Sequence, residues 1–202
     1  MRVFYAVTFA DYIKQALVDS LPEIKKYTSR GSFTAKDNFH ITLVFVGECD
    51  TGKLEPLKGV IDKTVKKLDL PELFRANPIK ATIDKLGTFA RPDDALMWAG
   101  VKTSPDDILS KIHKTINQEL VNCGIYIKQD RNKFTPHITI ARRVEFASIS
   151  GNEIDQINFA PIDFTINSIT LMESIMSVET NKTSGGRQYT KIVYKPLYER
   201  KF

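Results

Sequence analysis

The sequence predicts an α+β protein. It would be bilobal, with two pseudo-symmetric lobes, each an antiparallel β-sheet covered by helices, and an active-site cleft between them. Three observations predict it. A motif, His-Ile-Thr followed by an apolar residue, occurs at residues 40–43 and again at 137–140. Each copy lies in a β-branched, aromatic and apolar run that reads as a strand. Amphipathic helical stretches of comparable length, residues 51–68 and 105–122, accompany the two copies, so the elements fall into two similar sets. No linker, low-complexity tract or composition break interrupts the 202 residues. The expectation is one domain, 1–202, of two intertwined lobes.

In chain order, residues 3–9 read as an opening strand. Ile13, Leu17 and Leu21 recur at helical spacing and predict a helix over 11–21, with Pro22 near its end. Residues 25–37 are polar and basic and read as a loop around Ser29-Arg30-Gly31-Ser32. The first motif strand follows. Thr51 is the predicted cap of a helix whose apolar positions are Leu54, Leu57, Val60, Ile61, Val65 and Leu68; its lysines fall mostly on the solvated arc. Residues 81–86 and 95–101 predict two strands around the turn 90–94. Ser104-Pro105-Asp106-Asp107 predicts a helix start, with a serine cap, proline at the first position and acidic residues favoured by the helix dipole. Ile108, Ile112, Ile116 and Leu120 form its buried stripe, and Gly124 its stop. A polar loop, 128–133, leads to the second motif strand. Residues 148–155 are open between loop and short helix. Residues 164–172 and 189–194 read as closing strands around a basic turn, 180–187.

With 42% hydrophobic and 26% charged residues and a mean hydropathy of −0.22, the composition is that of a globular chain. A net charge of +5 and a pI near 9.1 favour polyanionic partners, nucleic acid above all. The apolar run at the start is too short for a signal peptide or a membrane span. Cys49 and Cys123 form no CxxC pair. The expectation is a cytoplasmic protein with reduced, structural thiols, not associated with membranes.

The chemistry follows from the motif. Strand side chains alternate between faces, so His40 and Thr42 share one face and Ile41 and Leu43 the other; His137, Thr139, Ile138 and Ile140 repeat the pattern. A histidine and a threonine two apart lie roughly 6.6 Å from each other along a strand, which suits two oxygens of one phosphoryl group. The chain has three histidines, and two of them occupy matching positions, 97 residues apart. Facing each other, they form a general acid–base pair, since an imidazole populates both protonation states near neutral pH. Thr42 and Thr139 would donate hydrogen bonds to non-bridging phosphoryl oxygens, and Arg142 would reach the phosphate or stack on a base. Paired histidines also suit zinc, but zinc takes three or four protein ligands and no further ligand spacing is present, so no metal is expected. His113 reads as a partly exposed helix residue. Phe39 and Phe45 alternate with His40 and should point away from the cleft, whereas Phe9 and Phe33 remain candidate stacking platforms.

Several segments resemble one known family. The pair of His-x-Thr motifs is similar to that of the two-histidine (2H) phosphoesterase superfamily, and the rest to its RNA 2′,3′-cyclic phosphodiesterase branch, also called 2′-5′ RNA ligase. The resemblance is carried by Arg2 to Val7, His40 to Gly47, Gly87-Thr88-Phe89 with Met97 to Val101, Phe134 to Arg142, and Glu173-Ser174 with Tyr189 and Leu197. Phe33 departs from it, standing where the family often carries tryptophan. The resemblance implies hydrolysis of a terminal 2′,3′-cyclic phosphate to a 2′-phosphate, without metal or other cofactor, by His40 as proton donor and His137 as proton acceptor. It implies weak 2′-5′ ligation in reverse, and RNA ends such as tRNA fragments as partners of a monomer. A 2′-5′ oligoadenylate, a cyclic nucleotide or an ADP-ribose cyclic phosphate is an alternative substrate, and a non-catalytic RNA-end-binding module an alternative role.

Overall fold

The computed structural model describes residues 1–127, 133–147, 154, 157–180 and 188–202. The expected loop at 128–133, the undecided stretch 148–155 and the turn at 180–187 lie largely outside the described residues. The elements are β1 (Arg2–Thr8), α1 (Asp11–Lys25), β2 (Thr28–Phe33), β3 (His40–Glu48), α2 (Leu54–Lys67), α3 (Leu70–Ala76), β4 (Ile79–Ala90), β5 (Ala95–Ser104), α4 (Ile108–Asn122), β6 (His137–Phe146), β7 (Ile162–Ile166), β8 (Ser168–Thr180) and β9 (Gln188–Lys201).

The strands join in the order β7-β4-β5-β6-β3-β1-β8-β9, with β2 paired to β6. Every pairing is antiparallel. Both expected halves are present, as β9-β8-β1-β3 and β6-β5-β4-β7. They meet at one bridge, Ile41 to Ile138, between the two motif strands. β2 then takes over the edge of β6, pairing Phe33 with Ala141 and Ser32 with Arg142, so β3 and β6 part after that bridge. The halves repeat a connection: β1 leads through α1 to β3, and β5 leads through α4 to β6. The connecting helices interlock them, because α4 packs against β3 and α1 against β7.

One face of the sheet carries the helices. Ile13, Leu17, Leu21 and Ile24 of α1, Leu57, Val60 and Ile61 of α2, and Ile112, Ile116 and Leu120 of α4 join Ile41, Ile138 and their strand neighbours in a single core. At roughly 1.5–3 kcal/mol for each large side chain removed from water, this apolar layer is the main stabilising term. Tyr5 is buried within it and donates its hydroxyl proton to the Leu57 carbonyl at 2.9 Å. On the opposite face, to which no α-helix among the described residues packs, Phe4, Ala6 and Met172 form a small cluster of their own against Tyr194.

Several boundaries differ from the sequence reading for identifiable reasons. α1 runs through Pro22 to Lys25, because burying Leu21 and Ile24 outweighs the backbone bond that proline removes. The polar run before the first motif contains β2, an edge strand with water on both faces, so it shows no apolar alternation. Ser104 stays in the β4–β5 ladder opposite Lys80, and α4 begins at Ile108 without a serine cap. Thr51 lies in a 3₁₀ turn and makes no capping bond to α2. α3 was not expected. The span 164–172 is two strands, β7 on β4 and β8 on β1, so it crosses from one half of the sheet to the other. Gly124 does end α4: its φ is +70°, its N–H bonds the Val121 carbonyl and that of Ile125 the Leu120 carbonyl.

Candidate active site

β3 and β6 place the two histidines on the uncovered face. The first six residues of each strand have the same burial order: part-exposed, buried, part-exposed, buried, buried, exposed. His40, Thr42, His137 and Thr139 take the part-exposed positions, while Ile41 and Ile138 are fully buried beneath them. The Ile41–Ile138 bridge brings the flanking motif residues of both strands side by side on one face.

Each imidazole is oriented by the carbonyl two residues before it. His40 Nδ1 donates to Asn38 O at 2.7 Å, and His137 Nδ1 donates to Thr135 O at 2.8 Å. A carbonyl only accepts, so Nδ1 carries the proton in both rings and Nε2 is left for chemistry. The Thr42 hydroxyl lies 2.9 Å from His40 Nε2 and donates to it when the ring is neutral. Rings hold the imidazoles from the side. Phe4 and Tyr194 each lie 4.9 Å from His40, centroid to centroid, and Phe89 lies 5.2 Å and Trp98 6.4 Å from His137.

Burial lowers both imidazole pKa values, against the opposing pull of the Asn38 and Thr135 carbonyls. The Arg142 guanidinium lowers both further, and for His40 the charge of His137 adds to this, bringing His40 down to about 4. Arg142 thus sits close enough to act on both rings. Strict alternation from His137 would have put it on the helix side, five positions on. A bulge prevents this: Trp98 pairs with Thr139 and Met97 with Ala141, so Ile140 is an extra residue and Ala141 takes the core side. β3 carries the matching bulge, with Ala6 opposite Thr42 and Tyr5 opposite Val44, leaving Leu43 extra. Phe45 is consequently turned to the uncovered face, 46% exposed, with the Arg2 guanidinium 4.9 Å above its ring. This corrects the expectation that Phe45 points away from the cleft. Phe39 is buried as expected.

His113 is remote from this pair. Its Nδ1 donates to the carbonyl of Leu43, the extra residue of the β3 bulge, at 2.7 Å, and it stacks on Phe134 at 4.3 Å. Phe9 is buried against Phe164, and Phe33 is covered by the Lys25 ammonium, 5.0 Å from its ring. Sequence reading missed Phe4, Tyr194, Phe89 and Trp98 as the rings beside the imidazoles. Their signal was present in the strand alternation of β1, β4, β5 and β9 but needed the register to be read. Among the described residues no three His, Cys, Asp or Glu side chains cluster as metal ligands, and Cys49 and Cys123 are free thiols. Among the described residues no helix is long and apolar enough to cross a membrane.

Comparisons with known proteins give the family and the fold. The family model described as the 2′-5′ RNA ligase superfamily matches residues 15–175. The RNA 2′,3′-cyclic phosphodiesterase of Thermotoga maritima is 25% identical over 203 residues, covering 100% of this chain and 96% of that protein. The protein of the same name from Methanocaldococcus jannaschii is 30% identical over 166 residues, covering 81% of this chain and 84% of its own. Among solved structures, a Thermus thermophilus protein superposes with a TM-score of 0.67 at 18% identity, covering 100% of this chain and 97% of that one. Escherichia coli LigT complexed with 3′-AMP superposes with a TM-score of 0.63 at 20% identity, covering 99% and 97%. These two likenesses concern the fold.

Proposed function

We propose that this chain, which belongs to the 2′-5′ RNA ligase superfamily, hydrolyses RNA ends carrying a 2′,3′-cyclic phosphate to 2′-phosphate ends. The observation that carries this reading is the pair of imidazoles with matched Nδ1 anchors on one open sheet face. The names of its relatives support the same substrate class.

The ester to be broken joins phosphorus to the 3′ oxygen. His137 lies nearer solvent than His40, which fits it to take a proton from the incoming water through Nε2. His40, as imidazolium, gives its Nε2 proton to the departing 3′ oxygen. Thr42 and Thr139 donate to the non-bridging oxygens, and Arg142 offsets the charge that grows on them. The bound phosphate's negative charge raises both histidine pKa values, so substrate itself secures the proton on His40. No step needs a metal ion. A 5′-hydroxyl in place of water would give a 2′-5′ linkage by the same transfers, which is the basis for a weak ligase activity. The chain is read as one domain that acts as a monomer in the cytoplasm.

The test is the end-group left on a cyclic-phosphate-ended oligonucleotide. The expected product is a 2′-phosphate, formed equally well in EDTA. A 3′-phosphate product, or activity lost to the chelator, would overturn the proposal. Binding to the cyclic end without turnover would instead identify a non-catalytic module.

A further inference from the structure

We infer that the pocket beside His40 is the subsite for the terminal nucleoside and that it prefers guanine. The inference rests on the proposed hydrolysis, because it follows from where the leaving oxygen must be. The 3′ oxygen belongs to the terminal ribose. The group that protonates it therefore has that ribose, and the base attached to it, on its own side of the phosphorus, while water enters from the opposite side.

Beside His40, where β1 ends and β3 begins, a pocket of about 310 Å³ opens between α1 and the sheet, lined by Thr8, His40, Thr170, Met172, Tyr194 and Glu199 and floored by Phe9 and Phe39. That lies at the lower end of small-ligand pockets, roughly 300–1,000 Å³, which fits one nucleoside and not a longer segment. The strand register builds it. Thr8 is the cross-strand partner of His40, and Glu199 is that of Thr170. The Thr8 and Thr170 hydroxyls lie 3.4 Å apart across β1 and β8. Met172 and Pro196 supply apolar surface for a ring, and the Tyr194 ring, perpendicular to His40, closes the catalytic end.

The polar groups at the rim determine which base fits. Lys14 and Asp37 both line the pocket and lie 4.0 Å apart as an ion pair. Glu199 adds a carboxylate, which only accepts hydrogen bonds. Guanine presents two adjacent donor groups, N1–H and the 2-amino group, to such an acceptor. Adenine and cytosine present one amino group. Uracil presents a single N–H between two carbonyls, which a carboxylate repels. A site that pairs two donors discriminates against a base lacking them.

The experiment compares the four nucleoside 2′,3′-cyclic monophosphates as substrates of wild type and Glu199→Ala. It also measures calorimetric binding of guanosine 2′-monophosphate against uridine 2′-monophosphate. Glu199 is exposed on β9, so its truncation leaves the core intact. Wild type should favour guanosine over uridine about ten-fold or more in kcat/KM, and Glu199→Ala should collapse that ratio toward one. Four substrates turned over within two-fold of each other, or a variant that slows all four alike, would overturn the subsite. If none is hydrolysed yet guanosine 2′-monophosphate binds preferentially and the preference depends on Glu199, the subsite stands and the hydrolase reading falls.

Discussion

His40 and His137 both carry their fixed proton on Nδ1, and both hold it there through a carbonyl of their own strand approach. Each therefore presents the same nitrogen to the cleft with its role set by what it meets. Because burial and Arg142 lower both pKa values in the free protein, the bell-shaped profile of kcat/KM is expected to have its optimum below pH 6.5. The profile of kcat, which reports the bound complex, should move to higher pH. Identical profiles would mean that substrate does not raise the imidazole pKa values. The same shift has a consequence for stability. Unfolded, His40 binds a proton near pH 6.5; folded, it resists until about 4. Its favourable contribution is thus complete above 6.5 and lost as pH falls toward 4, amounting to about 3 kcal/mol. Denaturant unfolding at pH 7 and 4.5 should show this loss in wild type and a smaller one in His40→Asn.

The two histidines, their threonines and the strand face each pair shares were legible, because a repeated motif and strand alternation suffice for them. The lowered pKa values were not, since they depend on Phe4, Tyr194, Phe89 and the Arg142 charge arriving from other strands.

The strand is the unit that aims these groups. The bulges at Leu43 and Ile140 reverse alternation midway through β3 and β6, and without the second Arg142 would lie among the helices. No composition signal marks a bulge, so Arg142 was singled out for its charge and position while Phe45 was assigned to the wrong face. His113 holds the extra Leu43 carbonyl of the first bulge. Arg142→Ala should lower kcat/KM about 10²-fold while leaving the fold intact, because the side chain is exposed; a change under two-fold would remove it from the site. The β4–β5 hairpin makes a second demand. A Cβ at Gly87 would stand 2.2 Å from Trp98 Cζ2, so the indole lies directly over that glycine. Gly87→Ala should displace Trp98 from its place beside His137 and lower kcat/KM. Trp98 is the single tryptophan of the chain, and an imidazolium quenches a nearby indole. Its fluorescence should therefore fall as His137 protonates, with a midpoint below pH 6.5. His137→Asn should abolish the transition, and a transition that survives would assign the quenching elsewhere.

For the whole molecule, two strand–helix–strand units share one core and one sheet, and α1 and α4 each reach a strand of the opposite half. A cleft built across such a seam is held by both halves together, so the distance between the imidazoles is fixed by the fold rather than by hinge closure. The repeat, the helical stripes and the antiparallel pairing of adjacent segments made this architecture readable from the sequence. The single Ile41–Ile138 bridge, the insertion of β2 beside β6 and the crossing from β7 to β8 were not readable, because they are set by long-range pairing between segments of ordinary polarity. Two imidazoles 97 positions apart are proposed to act in one step at one phosphorus. This is tested most directly by the turnover of a cyclic-phosphate-ended oligonucleotide with His40→Ala, His137→Ala and the double variant. Each single variant is expected to lose about 10³-fold or more in kcat, with the double variant no slower than the slower single one, as groups acting as a unit behave. Losses that multiply, or a single variant within ten-fold of wild type, would contradict it.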